Sequence, residues 1–225
     1  PTPIPPTATP TSLPQSAVAG EQKSILIVGV DDASAAQPVF EGCWVLSYRA
    51  GLPQYYFSSF PPDSSFFLVS VGMTQTLTQI YALDLKQELG FRLMREAIES
   101  RFPALKPQAE VVIDRRALAD LVTQTGSLLI QGQSLSGPEL LDNYSAQAAL
   151  GTAERMSFQE MAVRALFSRL AESSWTPAGL AIYFQQQPGS RAIQLESFAA
   201  GAPALGTAGV NWTVYTPEQE TSGAP

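Results

Sequence analysis

Apolar positions along the chain follow two periods. Residues 24–32, Ser-Ile-Leu-Ile-Val-Gly-Val-Asp-Asp, form a short apolar run interrupted by Gly29 and ended by Asp31 and Asp32. A run of this length predicts a strand buried on both faces. In open α/β sheets ligands sit beyond the carboxyl ends of such strands. Asp31 and Asp32 thus stand where chemistry is expected, and equally where a turn begins. Further strands are predicted at 42–48, at the aromatic-rich 54–60 antiparallel to it, and at 109–113, 128–130, 181–186 and 211–215. Residues 65–71 read as another short strand or a lining segment.

The helical period appears first over 74–85, in part, and then clearly over 89–101. There Leu89, Leu93 and Ala97 with Met94 and Ile98 make one face, with Arg92–Glu96 and Arg95–Glu99 as outer i,i+4 pairs. Asp114 caps a helix over 115–124, closed by Gly126. Pro138 opens another that runs to about 147. The longest, over 154–171, places Phe158, Met161, Ala162, Ala165, Leu166 and Leu170 on one side. Strands alternating with helices predict an α/β or α+β fold, a mixed sheet covered by helices.

Composition narrows the picture. Residues 1–15 are rich in Pro and Thr and favour extended polyproline II, which buries no core. The expected organisation is a linker over 1–21, one domain over 22–217 and a flexible tail over 218–225. A chain that begins at Pro1 with such a stalk leads us to expect that an upstream signal peptide or membrane anchor has been removed. Apolar residues make up 45% of the 225, enough for a core, and charged residues only 15%. A net charge of −7 argues against a nucleic-acid surface, which needs clustered Lys and Arg. Histidine is absent, which removes His triads, His bases and His metal ligands. The lone Cys43 excludes an intrachain disulfide and a Cys-rich zinc site, and beside Trp44 it reads as a core thiol. Any metal would be a hard cation on oxygen ligands.

The order of segments resembles the LytR-CpsA-Psr (LCP) domain of bacterial cell-envelope proteins. The likeness spans roughly 23–217. Residues 24–32 resemble the family's opening strand and its Gly-x-Asp. Ser59-Phe60-Pro61-Pro62-Asp63-Ser64 resembles Ser-Ile-Pro-Arg-Asp-Thr. Residues 110–114 followed by 118–126 resemble its strand, helix and Leu-Val-Asp-x-Leu-Gly-Gly turn. Leu135-Ser136-Gly137 through Leu141 and Tyr144 resembles the segment before its arginine-rich stretch. Glu154-Arg155 to Gln159 resembles the Gly-Arg-x-x-Arg-Gln start of its long helix, and 209–217 its closing strand.

The resemblance implies a phosphotransferase at the outer face of the cytoplasmic membrane. It would move a glycopolymer from a polyprenyl-pyrophosphate carrier to peptidoglycan or another cell-wall acceptor, and be membrane-anchored through the removed N-terminus. By the same resemblance Asp31 and Asp63 would hold Mg²⁺, Asp63 and Arg155 would be catalytic, and Arg155 and Gln159 would bind substrate. Phosphoryl transfer depends on positioning and charge neutralisation, so convergent Arg and Mg²⁺ fit it. The sequence also departs from the pattern. The family's Arg-Ser-Asp-Thr falls on Glu41-Gly42-Cys43-Trp44, its Pro-Arg-Asp arginine on Pro62, its Arg-x-Arg pair near Ser145 to Gln147, and its second helix arginine on Phe158. A catalytically inactive protein of the same fold, binding polyprenyl lipid or envelope glycan or scaffolding envelope assembly, is the alternative. Arg49, Arg115 and Arg116 are the candidates to replace the missing cations. The aromatic cluster Tyr55, Tyr56, Phe57, Phe60, Phe66, Phe67 and Leu68 reads as core or as a lipid-facing wall.

Overall fold

The computed structural model describes residues 20–187, 191–205 and 208–214. Most of the linker (1–19) and the end of the chain, including the expected tail over 218–225, lie outside the described residues. In chain order the elements are β1 (Gln22–Val30), β2 (Phe40–Arg49), β3 (Gln54–Phe60), β4 (Ser65–Leu68), β5 (Met73–Thr76), α1 (Leu77–Lys86), α2 (Arg92–Arg101), β6 (Ala109–Asp114), α3 (Arg115–Thr125), β7 (Leu128–Ile130), β8 (Gln133–Leu135), α4 (Gly137–Leu150), α5 (Thr152–Glu172), α6 (Pro177–Gln186), β9 (Ala192–Ile193), α7 (Leu195–Ala199) and β10 (Gly209–Val214). Six strands form one mixed sheet in the order β10-β3-β2-β1-β6-β9. β1 runs parallel to β6 and β3 parallel to β10, while β2 is antiparallel to both of its neighbours. β4–β5 and β7–β8 are separate hairpins.

Strand alternation divides the core. Leu26, Val28 and Val30 of β1, with Cys43, Val45, Phe60 and Val112, face α1 and α2 and are buried with Leu77, Ile80, Leu93, Met94 and Ile98. Asp84, 1% exposed, accepts hydrogen bonds from Leu93 N and Met94 N at 3.0 Å each. It supplies the cap that Phe91, at the N-cap of α2, lacks. The charges expected to pair along α2 also reach outward: Arg95 meets the buried Glu110 of β6 at 3.0 Å, and Glu96 accepts from Ser70 N and Oγ at 2.8 and 2.5 Å. Arg92 still acts on Glu96 along the helix, and both outward contacts tie the helix to neighbouring elements.

On the other face α3, α4, α5 and α6 cover the sheet less tightly. Gly29 and Gly42 stand opposite each other across β1 and β2, and the Trp44 ring lies against both. A Cβ at Gly29 would meet ring carbons at 2.7 and 2.8 Å, and one at Gly42 at 2.8 Å. Two helix starts obey their sequence signals. Asp114 accepts from Ala117 N at 2.7 Å, and Ser136 with Glu139 makes a capping box ahead of Pro138. Gly151, with φ 150° and ψ 177°, alone separates α4 from α5.

The strand expected over 181–186 is a helix. Thr176 caps it, accepting from Gly179 N at 3.0 Å, and Pro177 sits in its first turn. This start signal outweighs the β-leaning residues after it. The helix expected over 89–101 begins at Arg92.

These contacts generate two stability predictions. Asp84→Ala strands two buried N–H groups and is expected to cost about 2–3 kcal/mol in a urea melt at neutral pH. Burial raises the Asp84 carboxyl above its ordinary 3.8, against the pull of its two backbone donors and Arg92. The folded protein therefore holds this proton more tightly than the unfolded chain does. Its contribution is full below 3.8 and is lost as pH rises through the raised value; Asp84→Asn should remove that slope from the pH dependence of the midpoint. Separately, Gly42→Ala drives a methyl into the Trp44 ring, with an expected loss of about 1–3 kcal/mol and a shift in tryptophan emission. An unchanged spectrum would mean that the ring does not rest on this glycine.

Candidate functional site

β1, β3 and β6 run in the same direction, so their carboxyl ends share one edge of the sheet. Val30 pairs with Asp114 there, and Phe60 ends β3 opposite Cys43. Asp31, Asp63 and the Asp114–Arg115 junction are consequently brought to one end, with Glu41 entering β2 between them. The loop after β1 is fixed by its own carboxylates. Asp31 Oδ1 accepts from Asp32 N and Val39 N at 2.7 Å each, and Asp114 Oδ2 accepts from Ala33 N at 3.3 Å. Asp63 is exposed, in a turn where Ser64 N donates to Pro61 O.

From this edge an apolar cavity of about 220 Å³ runs between the sheet and helices α3 to α6. Ile27, Trp44, Leu46, Phe57 and Ile113 form its sheet wall, and Leu118, Phe158, Ala162, Leu166 and Phe184 belong to its helical wall. Of the aromatic cluster singled out in the sequence, only Phe57 lines it. Tyr55, Phe60, Phe66 and Leu68 are buried in the core, and Tyr56 and Phe67 face outward.

The cavity's polar lining includes Glu41, Arg115, Tyr144 and Gln159. Arg115 Nε donates to Glu41 Oε1 at 2.7 Å, Nη2 donates to the same oxygen, and Nη1 reaches Ser145 Oγ at 3.3 Å. The guanidinium lies 5.9 Å from the Tyr144 ring centre. The hydrogen bond to Glu41 raises the Arg115 pKa against the effect of burial, with the Glu41, Tyr144 and Asp31 charges adding to it. Tyr144 is pushed up by burial and by Glu41, and drawn back by Arg155, a hydrogen bond from Gln159 and Arg115. These side chains therefore form one electrostatic unit.

Arg155, in the first turn of α5, belongs to that unit through its effect on Tyr144 but does not line the cavity. Its Nε is buried without a hydrogen-bond partner. Neither Glu154 nor Asp142 pairs with it among the described residues. A cation at this end of a helix is disfavoured by the macrodipole, which leaves it suited to an anion. Gln159, one turn further along α5, is buried. It is 8% exposed, Nε2 donates to Tyr144 Oη at 3.3 Å, and Oε1 has no partner.

The structure thus brings Arg155 and Gln159 together around Tyr144 and places Asp31 and Asp63 at the same sheet end. What sequence reasoning misses is that Glu41 pairs with Arg115 and that Tyr144 joins them at the cavity. Arg115 is one of three candidate replacement cations in the sequence. It is the one that arrives, because Asp114 fixes the start of α3 at the sheet edge. Cys43 is fully buried, and burial pushes its thiol well above its ordinary range, which suits neither a nucleophile nor a metal ligand.

No family model matches the sequence, and no curated protein matches it. Solved structures do. The protein gbs0355 of Streptococcus agalactiae superposes with a TM-score of 0.66 at 13% identity, over 88% of this chain and 78% of that one. TagT bound to LIIa-WTA gives 0.64 at 17% identity over 87% and 79%, and Bacillus subtilis TagV gives 0.61 at 16% over 85% and 84%. TagT and TagV are LCP proteins. Identities this low, combined with TM-scores above 0.6 over most of both chains, establish architecture: the chain has the LytR-CpsA-Psr fold.

Proposed function

We propose that the protein is an extracytoplasmic cell-envelope protein that takes a lipid-linked glycopolymer and transfers it to a cell-wall acceptor. The observation that carries this reading is the apolar cavity bounded at the sheet edge by Glu41, Arg115, Tyr144 and Gln159. A polyprenyl chain fits such a cavity by burial alone, and the polar groups fix the head group at the sheet edge. Support also comes from the fold shared with TagT, which has been solved with wall teichoic acid intermediates bound.

In this reading Arg155, whose charge already reaches Tyr144 from beside the cavity, attracts the phosphate of the carrier and turns toward it, since its Nε has a hydrogen bond to give and no protein group takes it. Gln159 and Tyr144 orient the head group, with Gln159 Oε1 free to accept from a hydroxyl. Asp63 stands at the exposed side of the same edge, where an acceptor would approach. Mg²⁺ belongs to the proposal only in a form that needs few protein ligands. No three His, Cys, Asp or Glu side chains come together as a metal cluster among the described residues. Asp31 uses Oδ1 on its own loop and keeps Oδ2. With Asp63 at the same sheet end, it would contribute to an ion completed by substrate phosphate, which is how Mg²⁺ is often held. Bound there, Mg²⁺ would neutralise phosphate charge.

The test is transfer of a radiolabelled polyprenyl-linked glycan to isolated cell wall, with and without Mg²⁺. Arg155→Ala is expected to lower transfer by about a hundredfold or more, in line with loss of a charge-stabilising donor, with its melting temperature preserved. Wild-type transfer that is undiminished in Arg155→Ala would remove the assigned role. Lipid binding with no turnover under any condition would favour the catalytically inactive alternative.

A further inference from the structure

Glu41 is the feature that the proposed transfer does not use. It enters β2 at the sheet edge, its side chain is 15% exposed, and it holds Arg115 through two guanidinium nitrogens on one carboxylate oxygen. Asp31 also acts on Arg115. The charged side chains that line the cavity are one arginine, Arg115, and two carboxylates, Glu41 and Asp114. A head group with two or more negative charges would therefore meet one cation that is already paired, and two carboxylates.

We propose that Glu41 sets the head-group charge this cavity accepts: it neutralises Arg115 from within the protein and makes the site favour an isoprenoid chain ending in a single phosphate over one ending in pyrophosphate. The proposal rests on the reading that the cavity holds a lipid, and it narrows the class of that lipid. The physical basis is competition. An incoming anion reaches Arg115 only through the guanidinium donors that Glu41 leaves, chiefly Nη1, and meets a cation already neutralised in a half-buried setting, where charge-assisted hydrogen bonds are stronger than in water. Glu41 then stands close to the anion and repels it. A single phosphate, with less charge than a pyrophosphate, meets less of that repulsion.

The experiment measures binding of farnesol, farnesyl phosphate and farnesyl pyrophosphate to the wild-type protein, to Glu41→Gln and to the Glu41→Gln/Arg115→Gln double variant, without divalent cations. Wild type is expected to bind farnesyl phosphate more tightly than farnesyl pyrophosphate. Glu41→Gln should tighten farnesyl pyrophosphate by about tenfold, the size of one charge-assisted contact, and leave farnesol unchanged. In the double variant that gain should vanish. An unchanged pyrophosphate-to-farnesol ratio in Glu41→Gln, with all three lipids still binding, would overturn this proposal and leave the lipid cavity standing. Failure of every protein to bind any of the three would overturn both. Glu41→Ala, read in the same way, covers a Glu41→Gln protein that does not fold.

Discussion

The Trp44 ring pressed against Gly29 and Gly42 is the contact on which the functional half of the molecule depends. With no side chain on either glycine, the indole lies close to the backbone and forms part of a smooth apolar wall. Protein interiors are close-packed, and apolar surface left in contact with water forgoes the gain of burial. An apolar space of about 220 Å³ beside the sheet is the kind of surface a ligand covers.

On the α1/α2 face the buried carboxylates have partners: Asp84 accepts two backbone N–H groups and Glu110 pairs with Arg95. Buried groups without partners occur on both sides of the sheet: Ser24 Oγ and Ser64 Oγ on the α1/α2 side, and Trp44 Nε1 and Gln159 Oε1 at the cavity, with Arg155 Nε beside it. Each such group costs on the order of 1–3 kcal/mol. Those at the cavity lie where a bound head group can take them up.

Much of this was legible in the sequence. The apolar run of β1, the aromatic β3 and the capped α3 and α4 are local features, and the chain forms them where local signals say. The lapse at 181–186 was also local: Thr176-Pro177 is a helix start, and the Ile and aromatic content of residues 181–186 masked it. The site was legible only in part. Arg155 and Gln159 share one helical turn, so their proximity is fixed by spacing. The Glu41–Arg115 pair joins residues 74 positions apart, and no periodicity predicts a partner at that range. Tyr144 gains its role only because α4 lies beside α5, with Gly151 alone between them.

The glutamate at the sheet edge is an electrostatic device. A lone guanidinium at an empty anion site is stabilised only when the anion arrives. The Glu41 carboxylate gives Arg115 a partner that is always present, so the edge of the sheet is held together without ligand. Beside that pair stand a tyrosine and a glutamine, polar groups at one end of an otherwise apolar wall. The apolar wall is therefore the more exacting part of this site, and the residues that keep it open, Gly29, Gly42 and Trp44, constrain its function as strongly as any charged group.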